Sequence, residues 1–229
     1  MKPVLSVIVP TLNAAQVLPA TLSSLTELPE SEIIVVDGGS SDSTVRIASE
    51  YGATVLSAKS GRGTQLAAGA DAAKCEWFLF LHADTVLEPG WPQRVREFIR
   101  TANSTMSAAY FRFALDHDSP QAQRLEKIVA WRCRRFGLPY GDQGLLIHRD
   151  LYRSAGGYSP VPLMEDVDFI RRLRRKTGRQ GLQCLPARAV TGSERYRRDG
   201  YLLRSSRNLL CLTAYWLGVP TQFIARLYG

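Results

Sequence analysis

Short apolar runs rich in Val and Ile alternate with helix-forming segments through the first 90 residues. The runs at 4–9, 32–36, 53–57 and 77–81 predict buried strands, because each is too short to form a helix and is followed by turn-forming residues. Helices are predicted between them at 14–25, 44–51 and 61–73. Strands joined through helices run parallel, and their ligand sites lie at the carboxyl ends of the strands. The sequence therefore predicts an α/β domain with a mostly parallel central sheet flanked by helices.

The pattern is less regular after residue 90. Helices are predicted at 91–101, 121–135, 165–176 and 204–217, and strands at 106–115 and 145–149. No internal repeat, low-complexity segment or linker interrupts the chain. With 229 residues, of which 45% are apolar and 22% charged, one large domain accounts for most of its length.

The apolar runs also bear on location. None approaches the ~20 residues needed to span a bilayer. The apolar run at 4–9 is too short for a signal peptide and lacks a small-residue cleavage site, which favours a cytoplasmic protein. The four cysteines are scattered and include no CxxC pair, so reduced thiols are expected instead of a disulfide frame or a zinc site.

The net charge of +8 is unevenly distributed. Residues 1–120 carry 9 Lys and Arg against 13 Asp and Glu, whereas residues 121–229 carry 20 against 8. The second half, at +12, suits a polyanionic substrate or an anionic membrane surface. Because no nucleic-acid recognition motif accompanies the charge, nucleic acid is not expected as a partner.

Polar residues follow the predicted strands at the expected sheet edge. Asp37 stands directly after the second strand, beside glycines that allow a ligand to approach the backbone, so a ligand role is favoured. Asp42 is better explained as a cap of the next helix. Arg62, between Gly61 and Gly63 before a helix, is equally consistent with phosphate binding and with a solvated loop.

Three further clusters combine acids with loops or helix starts. His82 and Asp84 stand two apart at a strand end, where both side chains can point to one side and bind a metal ion; a polar strand end is the stronger reading of this triplet taken alone. Asp142 lies in a loop between two glycines. Glu165 and Asp166 begin a helix, where they either stabilise the helix dipole or supply a general base.

Together these clusters resemble the family 2 glycosyltransferases, which are inverting enzymes of the GT-A fold. Within that family the chain is most similar to the small bacterial radical-SAM/selenodomain-associated transferase group. The motifs that carry the resemblance follow the family's order: residues 6–13, 34–42, 61–63, 80–85, 141–144 and 164–168. Each motif is modest, but six in order along nearly the whole chain are specific.

The resemblance implies a single GT-A (Rossmann-like) domain and a metal-dependent transfer of sugar from a nucleotide-diphosphate sugar to an acceptor hydroxyl. Asp84 is expected to bind Mn²⁺ or Mg²⁺, and Asp166 to be the general base, with Glu165 and Asp142 beside it. His82 stands where the family usually has an Asp; a phosphate contact or packing is favoured over metal ligation. The implied nucleotide-sugar site comprises Pro10, Thr11, Asn13, Asp37, Gly39, Arg62, His82, Ala83 and Asp84.

The resemblance implies that residues 1–200 form the GT-A domain, with a nucleotide-binding half at 1–100 and an acceptor half at 101–200. In the remaining residues, 201–229, apolar residues recur about every seven positions. This spacing predicts an amphipathic helical tail that packs on the domain, contacts the inner face of the membrane, or pairs with a second subunit as a homodimer. A UDP-sugar is the favoured donor, and a lipid-linked acceptor would suit the basic half. The alternatives are a sugar nucleotidylyltransferase and a non-catalytic nucleotide-sugar-binding protein.

Overall fold

The computed structural model describes residues 4–103 and 106–228, and its first half follows the predicted alternation. The predicted strand at 4–9 begins in the described part at Leu5, whereas residues 1–3 of the predicted N-terminal start lie outside it. The elements are β1 (Leu5–Thr11), α1 (Leu18–Leu25), β2 (Ser31–Asp37), α2 (Thr44–Glu50), β3 (Thr54–Ser57), α3 (Arg62–Ala72) and β4 (Trp77–Phe80).

The second half combines strands with a helical C-terminus. A single 3₁₀ turn at Gly141–Gln143 precedes β7, and residue 229 of the predicted tail lies outside the described part. The elements are β5 (Thr85–Leu87), α4 (Trp91–Thr101), β6 (Ala108–Leu115), α5 (Pro120–Phe136), β7 (Leu145–His148), α6 (Arg149–Ser154), α7 (Glu165–Thr177), β8 (Leu182–Thr191), α8 (Glu194–Asp199), α9 (Tyr201–Trp216) and α10 (Thr221–Tyr228).

The described strands form one eight-stranded sheet in the order β3-β2-β1-β4-β7-β6-β8-β5. The four strands of the N-terminal half are parallel, as the apolar runs predict. Beyond β4 the sheet becomes mixed: β7 is antiparallel to both β4 and β6, whereas β6 and β8 are parallel. The polar loops after β1, β2 and β4 therefore meet at one edge, beside the loop that enters β7.

The sheet is buried on both faces. Leu5, Val7 and Val9 of β1 pack with α1 and α4 on one side, while Ile8 of the same strand packs with α3 and α7 on the other. Burial of alternate side chains on opposite faces explains why β1 reads as a continuous apolar run. No helix among residues 4–103 and 106–228 is long and apolar enough to cross a membrane.

Two glycines bring α3 close to its neighbours. A Cβ at Gly69 would lie 2.4 Å from Cγ2 of Ile8, so the helix packs directly on β1 through its backbone. A Cβ at Gly63 would lie 2.1 Å from the carbonyl oxygen of Ser159, in the loop before α7. The start of α3 is thereby held against the start of α7, and the residues at both helix starts are brought together.

One shifted helix start and one strand missing from the prediction have identifiable reasons. The helix predicted to begin at residue 14 begins at Leu18, because Asn13 adopts a positive φ of 50° and the N–H group of Ala14 donates to the side chain of Thr44. The strand β8 was not predicted. Pro186 interrupts its pattern, and the structure accommodates this residue where the register with β6 shifts.

Candidate functional site

The first part of the site lies where β1 and β2 end. Asp37 is buried, and its carboxylate accepts hydrogen bonds from the N–H groups of Gly39 and Ser40 at 2.9 and 2.8 Å and from the Ser40 hydroxyl. Thr11 donates a further, longer hydrogen bond of 3.3 Å. Burial alone would raise the pKa of Asp37, but these hydrogen bonds lower it below its usual value. Asp37 is therefore a fixed anion that shapes its own loop.

The loop after β1 is hydrogen-bonded to the loop after β2. The N–H group of Asn13 donates to the Ser40 hydroxyl at 2.8 Å, and its side-chain oxygen accepts from the N–H group of Ser41 at 2.9 Å. Asp42 binds the N–H group of Thr44, in the first turn of α2, as the predicted cap would, and also binds that of Ala15. Pro10, the remaining predicted residue here, is buried within β1.

Gln65, which the sequence did not single out, connects this edge to α3. Its side-chain amide is buried and donates to the carbonyl oxygens of Thr11 and Val36, both at 2.8 Å. Both carbonyls lie at strand ends, and the amide is a second donor to each: Thr11 O also accepts Gly38 N–H at 2.9 Å, and Val36 O accepts the Thr11 hydroxyl at 3.4 Å. Gln65 thus fixes the spacing of β1 and β2 beneath the loops. A polar residue inside a helix carries no signal of this role in one sequence.

The second part of the site is the turn His82–Ala83–Asp84 after β4. Each of its three backbone carbonyls accepts a hydrogen bond from a different source. Thr85 N–H donates to His82 at 3.3 Å, the Thr21 hydroxyl to Ala83 at 2.7 Å, and Gly192 N–H to Asp84 at 3.2 Å. The turn is therefore rigid in the absence of any ligand. Within the described residues, no hydrogen bond or ion pair engages the Asp84 carboxylate.

The third part, the start of α7, meets this turn at Gly141. The Gly141 N–H group donates to Oδ2 of Asp166 at 2.8 Å, and a Cβ on Gly141 would lie 2.3 Å from Nε2 of His82. The other oxygen of Asp166 accepts from Val167 N–H at 2.7 Å. A cavity of about 10 Å³, room for roughly one water molecule, is lined by His82, Gly141, Glu165, Asp166 and apolar neighbours.

Glu165 and Arg62 form an ion pair beside that cavity. Nη1 of Arg62 lies 3.1 Å from Oε1 of Glu165, and the Glu165 side chain is only 2% exposed against 38% for Arg62. Burial raises the pKa of Glu165, Arg62 opposes the rise, and Asp166 adds to it. The structure therefore places Glu165 beneath the site, where it holds Arg62, and places Arg62 at the entrance.

Asp142 lies between the second and third parts. Its Oδ1 atom is buried and has no hydrogen-bond partner among the described residues. Burial raises the pKa of Asp142 to about 6; Arg132 and Arg62 oppose the rise, while Asp166 and Asp84 add to it. Arg132 also lies 3.4 Å from the centre of the Tyr140 ring and donates to Gln143, so it supports the loop that carries Asp142.

Arg195 of α8 is a second residue that sequence reasoning missed. Burial, together with the charges of Arg62 and Arg195, holds the pKa of His82 well below its usual range. His82 is therefore neutral at pH 7 and can donate one hydrogen bond and accept another. Arg195 reaches the site because the N–H group of Ser193, just before α8, donates to Asp116 at 2.8 Å. Arg195 is one of five charged residues in a six-residue helix, which gave no indication of this role.

The donor atoms fit a divalent cation that shares its ligands with a diphosphate. No group of three His, Cys, Asp or Glu side chains that could enclose a metal occurs within the described part of the chain. Mg²⁺ and similar hard cations are typically held by one or two carboxylates together with substrate phosphates and water. The unengaged carboxylate of Asp84 and the orphaned oxygen of Asp142 are donors of that kind. Arg62 and Arg195 add positive charge beside them.

Comparisons with known proteins identify the family of the chain. The family model described as glycosyl transferase family 2 matches residues 6–155, which include β1 to β4 and the Gly141 loop. A PGL/p-HBAD biosynthesis glycosyltransferase of Mycobacterium bovis is 38% identical over 107 residues, which are 42% of each chain. A glycosyltransferase of Haemophilus influenzae is 28% identical over 185 residues, 74% of this chain and 61% of its own. The chain thus spans less than two thirds of the length of these relatives.

Solved structures share the fold. Staphylococcus aureus TarS superposes with a TM-score of 0.67 at 17% identity, covering 100% of this chain and 70% of the TarS chain. Glucosyl-3-phosphoglycerate synthase of Mycobacterium tuberculosis, solved with Mn²⁺, UDP-glucose and phosphoglyceric acid, gives a TM-score of 0.60 at 18% identity, covering 83% of this chain and 70% of that one. These likenesses confirm the predicted GT-A architecture.

Proposed function

Because the chain belongs to glycosyl transferase family 2 and is an enzyme of that class, we propose that it moves a sugar from a nucleotide-diphosphate sugar to an acceptor hydroxyl with inversion. One observation carries the proposal: His82, the first residue of the turn that carries Asp84, and the Asp166 carboxylate meet at Gly141 and border the same cavity. A phosphate anchor and a base must stand on either side of the transferred sugar. Family membership favours glycosyl transfer over nucleotidylyl transfer and over binding without turnover.

In this proposal the loops after β1 and β2 hold the nucleoside. Asp37 already uses its carboxylate to fix the loop, and Thr11 is buried beside it, so the exposed backbone at Gly39 would form the platform for base and ribose. The crystallised neighbours hold UDP-GlcNAc or UDP-glucose, which supports a UDP-sugar as donor. Gly39 has a φ of 96° and no atom within 4 Å of its would-be Cβ, so a ligand can approach the backbone there.

Asp84 would hold Mn²⁺ or Mg²⁺. The Asp142 carboxylate lies close enough to interact electrostatically with Asp84. When bound, the cation would neutralise the charge that develops on the leaving nucleoside diphosphate. Arg62 would add a second positive charge at the diphosphate, held in place by Glu165. Nε2 of His82 lies against Gly141, so His82 would position the Gly141 loop instead of binding the cation through that nitrogen.

Asp166 would remove the proton from the acceptor hydroxyl. Both of its oxygens accept a backbone N–H group, from Gly141 and Val167, which fixes the carboxylate in one orientation. Each oxygen keeps a lone pair for the acceptor. Glu165 is buried and paired with Arg62, so it is a positioning residue in this scheme. Attack by the acceptor opposite the diphosphate would invert the anomeric centre.

Two measurements on the same variants test the proposal. Thermal unfolding with UDP, UDP-glucose and UDP-GlcNAc, each with and without Mn²⁺, reports donor binding; release of UDP with a panel of acceptors reports turnover. Asp166→Asn should bind donor normally and lose turnover by about 10²- to 10⁴-fold, the usual contribution of a general base. Asp84→Asn should lose the Mn²⁺-dependent stabilisation.

Asp150→Asn is the matched control, because Asp150 is an exposed acid at the first turn of α6, away from the cavity. It should retain both binding and turnover. Normal turnover of Asp166→Asn would refute the assignment of the base. If no uridine nucleotide stabilises the unmodified protein with or without Mn²⁺, the assigned donor site is wrong.

A further inference from the structure

Helix α9 exposes its leucines to solvent. Six large apolar residues repeat at seven-residue intervals and lie 50% to 87% exposed: Leu202, Leu203, Leu209, Leu210, Trp216 and Leu217. Seven residues make nearly two turns of helix, so these side chains form one stripe, about 22 Å long at 1.5 Å per residue. We call these six residues the apolar stripe. An apolar stripe normally packs on the domain, whereas this one faces away from it.

The opposite face of α9 attaches the helix to the domain. Arg204 and Cys211, also seven residues apart, are buried at 5% and 0% exposure. Arg204 lies 3.4 Å from Asp199 at the end of α8, and the Tyr215 hydroxyl donates to Asp168 of α7 at 3.3 Å. The helix is therefore held by polar contacts through its buried face. Its orientation leaves the five leucines of the apolar stripe mostly exposed among the residues that the structure describes.

A basic groove adjoins the end of the apolar stripe. The groove is open, has a volume of about 320 Å³, and is lined by Leu138, Arg171, Arg174, Arg175 and Trp216. The Arg171 guanidinium lies 5.2 Å from the centre of the Trp216 ring. Apolar and cationic side chains thus meet on one surface.

Aromatic residues of α5 extend this surface. Arg174 donates to the carbonyl oxygen of Phe136, and the Phe136 ring contacts the Trp131 ring with 5.3 Å between centroids. Trp131 and Phe136 are 54% and 42% exposed. Exposed tryptophans beside arginines are typical of proteins that bind at the interface between lipid headgroups and acyl chains.

From the apolar stripe, the groove and the charge, we infer that this surface binds an anionic lipid bilayer, with the stripe at the acyl boundary and the groove arginines on lipid phosphates. The half of the chain that forms the surface carries a net charge of +12. A second copy of the chain would cover the stripe but bring Arg171, Arg174 and Arg175 towards their own counterparts. Charge complementarity therefore favours a lipid surface over a dimer.

Flotation with vesicles tests the inference and does not depend on the proposed transfer reaction. The full chain should float with vesicles of phosphatidylglycerol and phosphatidylcholine at low salt, stay at the bottom with phosphatidylcholine alone, and bind less as salt rises. Leu209→Ser with Leu210→Ser, and separately Arg171→Gln with Arg175→Gln, should each weaken partitioning by about tenfold or more.

Matched controls alter exposed apolar and basic residues on the acidic half. Val45→Ser with Tyr51→Ser, and Arg46→Gln with Arg94→Gln, should leave flotation unchanged. Circular dichroism of each variant verifies folding. The inference is overturned if the protein ignores anionic vesicles, if it binds neutral vesicles equally, or if the controls lose as much binding as the test variants. A dimer at micromolar concentration that the leucine variants dissociate would overturn it as well.

Discussion

The ion pair between Arg62 and Glu165 leads to a quantitative prediction about stability. Replacing Arg62 with Gln leaves the Glu165 carboxylate buried without its cation. Breaking a fully buried pair in this way costs about 3–5 kcal/mol. Because Arg62 is 38% exposed, water can replace part of its contribution, and we expect a loss of about 2 kcal/mol at pH 7.

The pH dependence sets an upper limit to that loss. In the variant, Glu165 can take up a proton instead of staying charged. Protonating an acid with an ordinary pKa of 4.5 costs about 3.4 kcal/mol at pH 7, so the loss cannot exceed this value. The same limit falls to about 0.7 kcal/mol at pH 5. A raised pKa in the folded state means that the folded chain binds its proton more tightly than the unfolded chain. Stability is therefore kept at low pH and lost as the pH rises.

Urea unfolding at pH 5, 6 and 7 without nucleotide measures this directly. The difference between the unmodified protein and Arg62→Gln should grow from under about 1 to about 2 kcal/mol over this range. In a Glu165→Gln background, the cost of Arg62→Gln should be the same at each pH. Arg94→Gln, which breaks the half-exposed pair with Glu97, is the control and should cost no more than about 1 kcal/mol at any pH. A loss for Arg62→Gln that is constant with pH would refute the reasoning.

Three further predictions concern residues of the same site. Gly63→Ala should lower the free energy of unfolding in urea by about 2 kcal/mol or more, because the added Cβ would lie 2.1 Å from a backbone oxygen. Alanine usually favours a helix over glycine, so unchanged or higher stability would contradict the close contact. Gln65→Leu should cost about 1–2 kcal/mol by the same assay, because two strand-end carbonyls each lose one of two donors and keep the other, Gly38 N–H on Thr11 and the Thr11 hydroxyl on Val36. Unchanged stability would contradict this role of the amide. Asp142→Asn should raise stability at pH 7 by up to about 3 kcal/mol without ligand. The pKa of Asp142 is raised to about 6, so its ionisation lowers the stability of the fold as the pH rises from about 4 to 6. Thermal unfolding at pH 4 and 7 should therefore show the gain only at pH 7.

The fold was predictable where one local signal dominates. The strands β1, β2 and β4 lie in the interior of the sheet, so each contains a short run of buried apolar residues. The strand β8 is half-exposed and contains Pro186, so its pattern resembles a loop. It pairs with residues of β6 that are 74 to 76 positions away, and a contact at that separation leaves no local trace in one sequence.

Some site residues could likewise be predicted from local sequence, and others could not. The positions of Asp37, Asp84 and Asp166 follow from their places after strands or at a helix start, and the structure brings the Asp84 turn and Asp166 together. The pairing of Arg62 with Glu165, 103 residues apart, could not be predicted, because either side chain alone is typical of a solvated helix terminus. Gln65 and Arg195 have the same limitation: their roles depend on which distant atoms the fold places beside them.

The close approach of Gly141 and His82 constrains how such a site can change over evolutionary time. A side chain at position 141 would collide with Nε2 of the imidazole, 2.3 Å from the first added carbon. A larger residue at 141 therefore requires the His82 ring to move or to be replaced. The effects of substitutions at the two positions should not be additive. The imidazole at the neighbouring strand end leaves room only for glycine at position 141, so the two positions should co-vary among related enzymes.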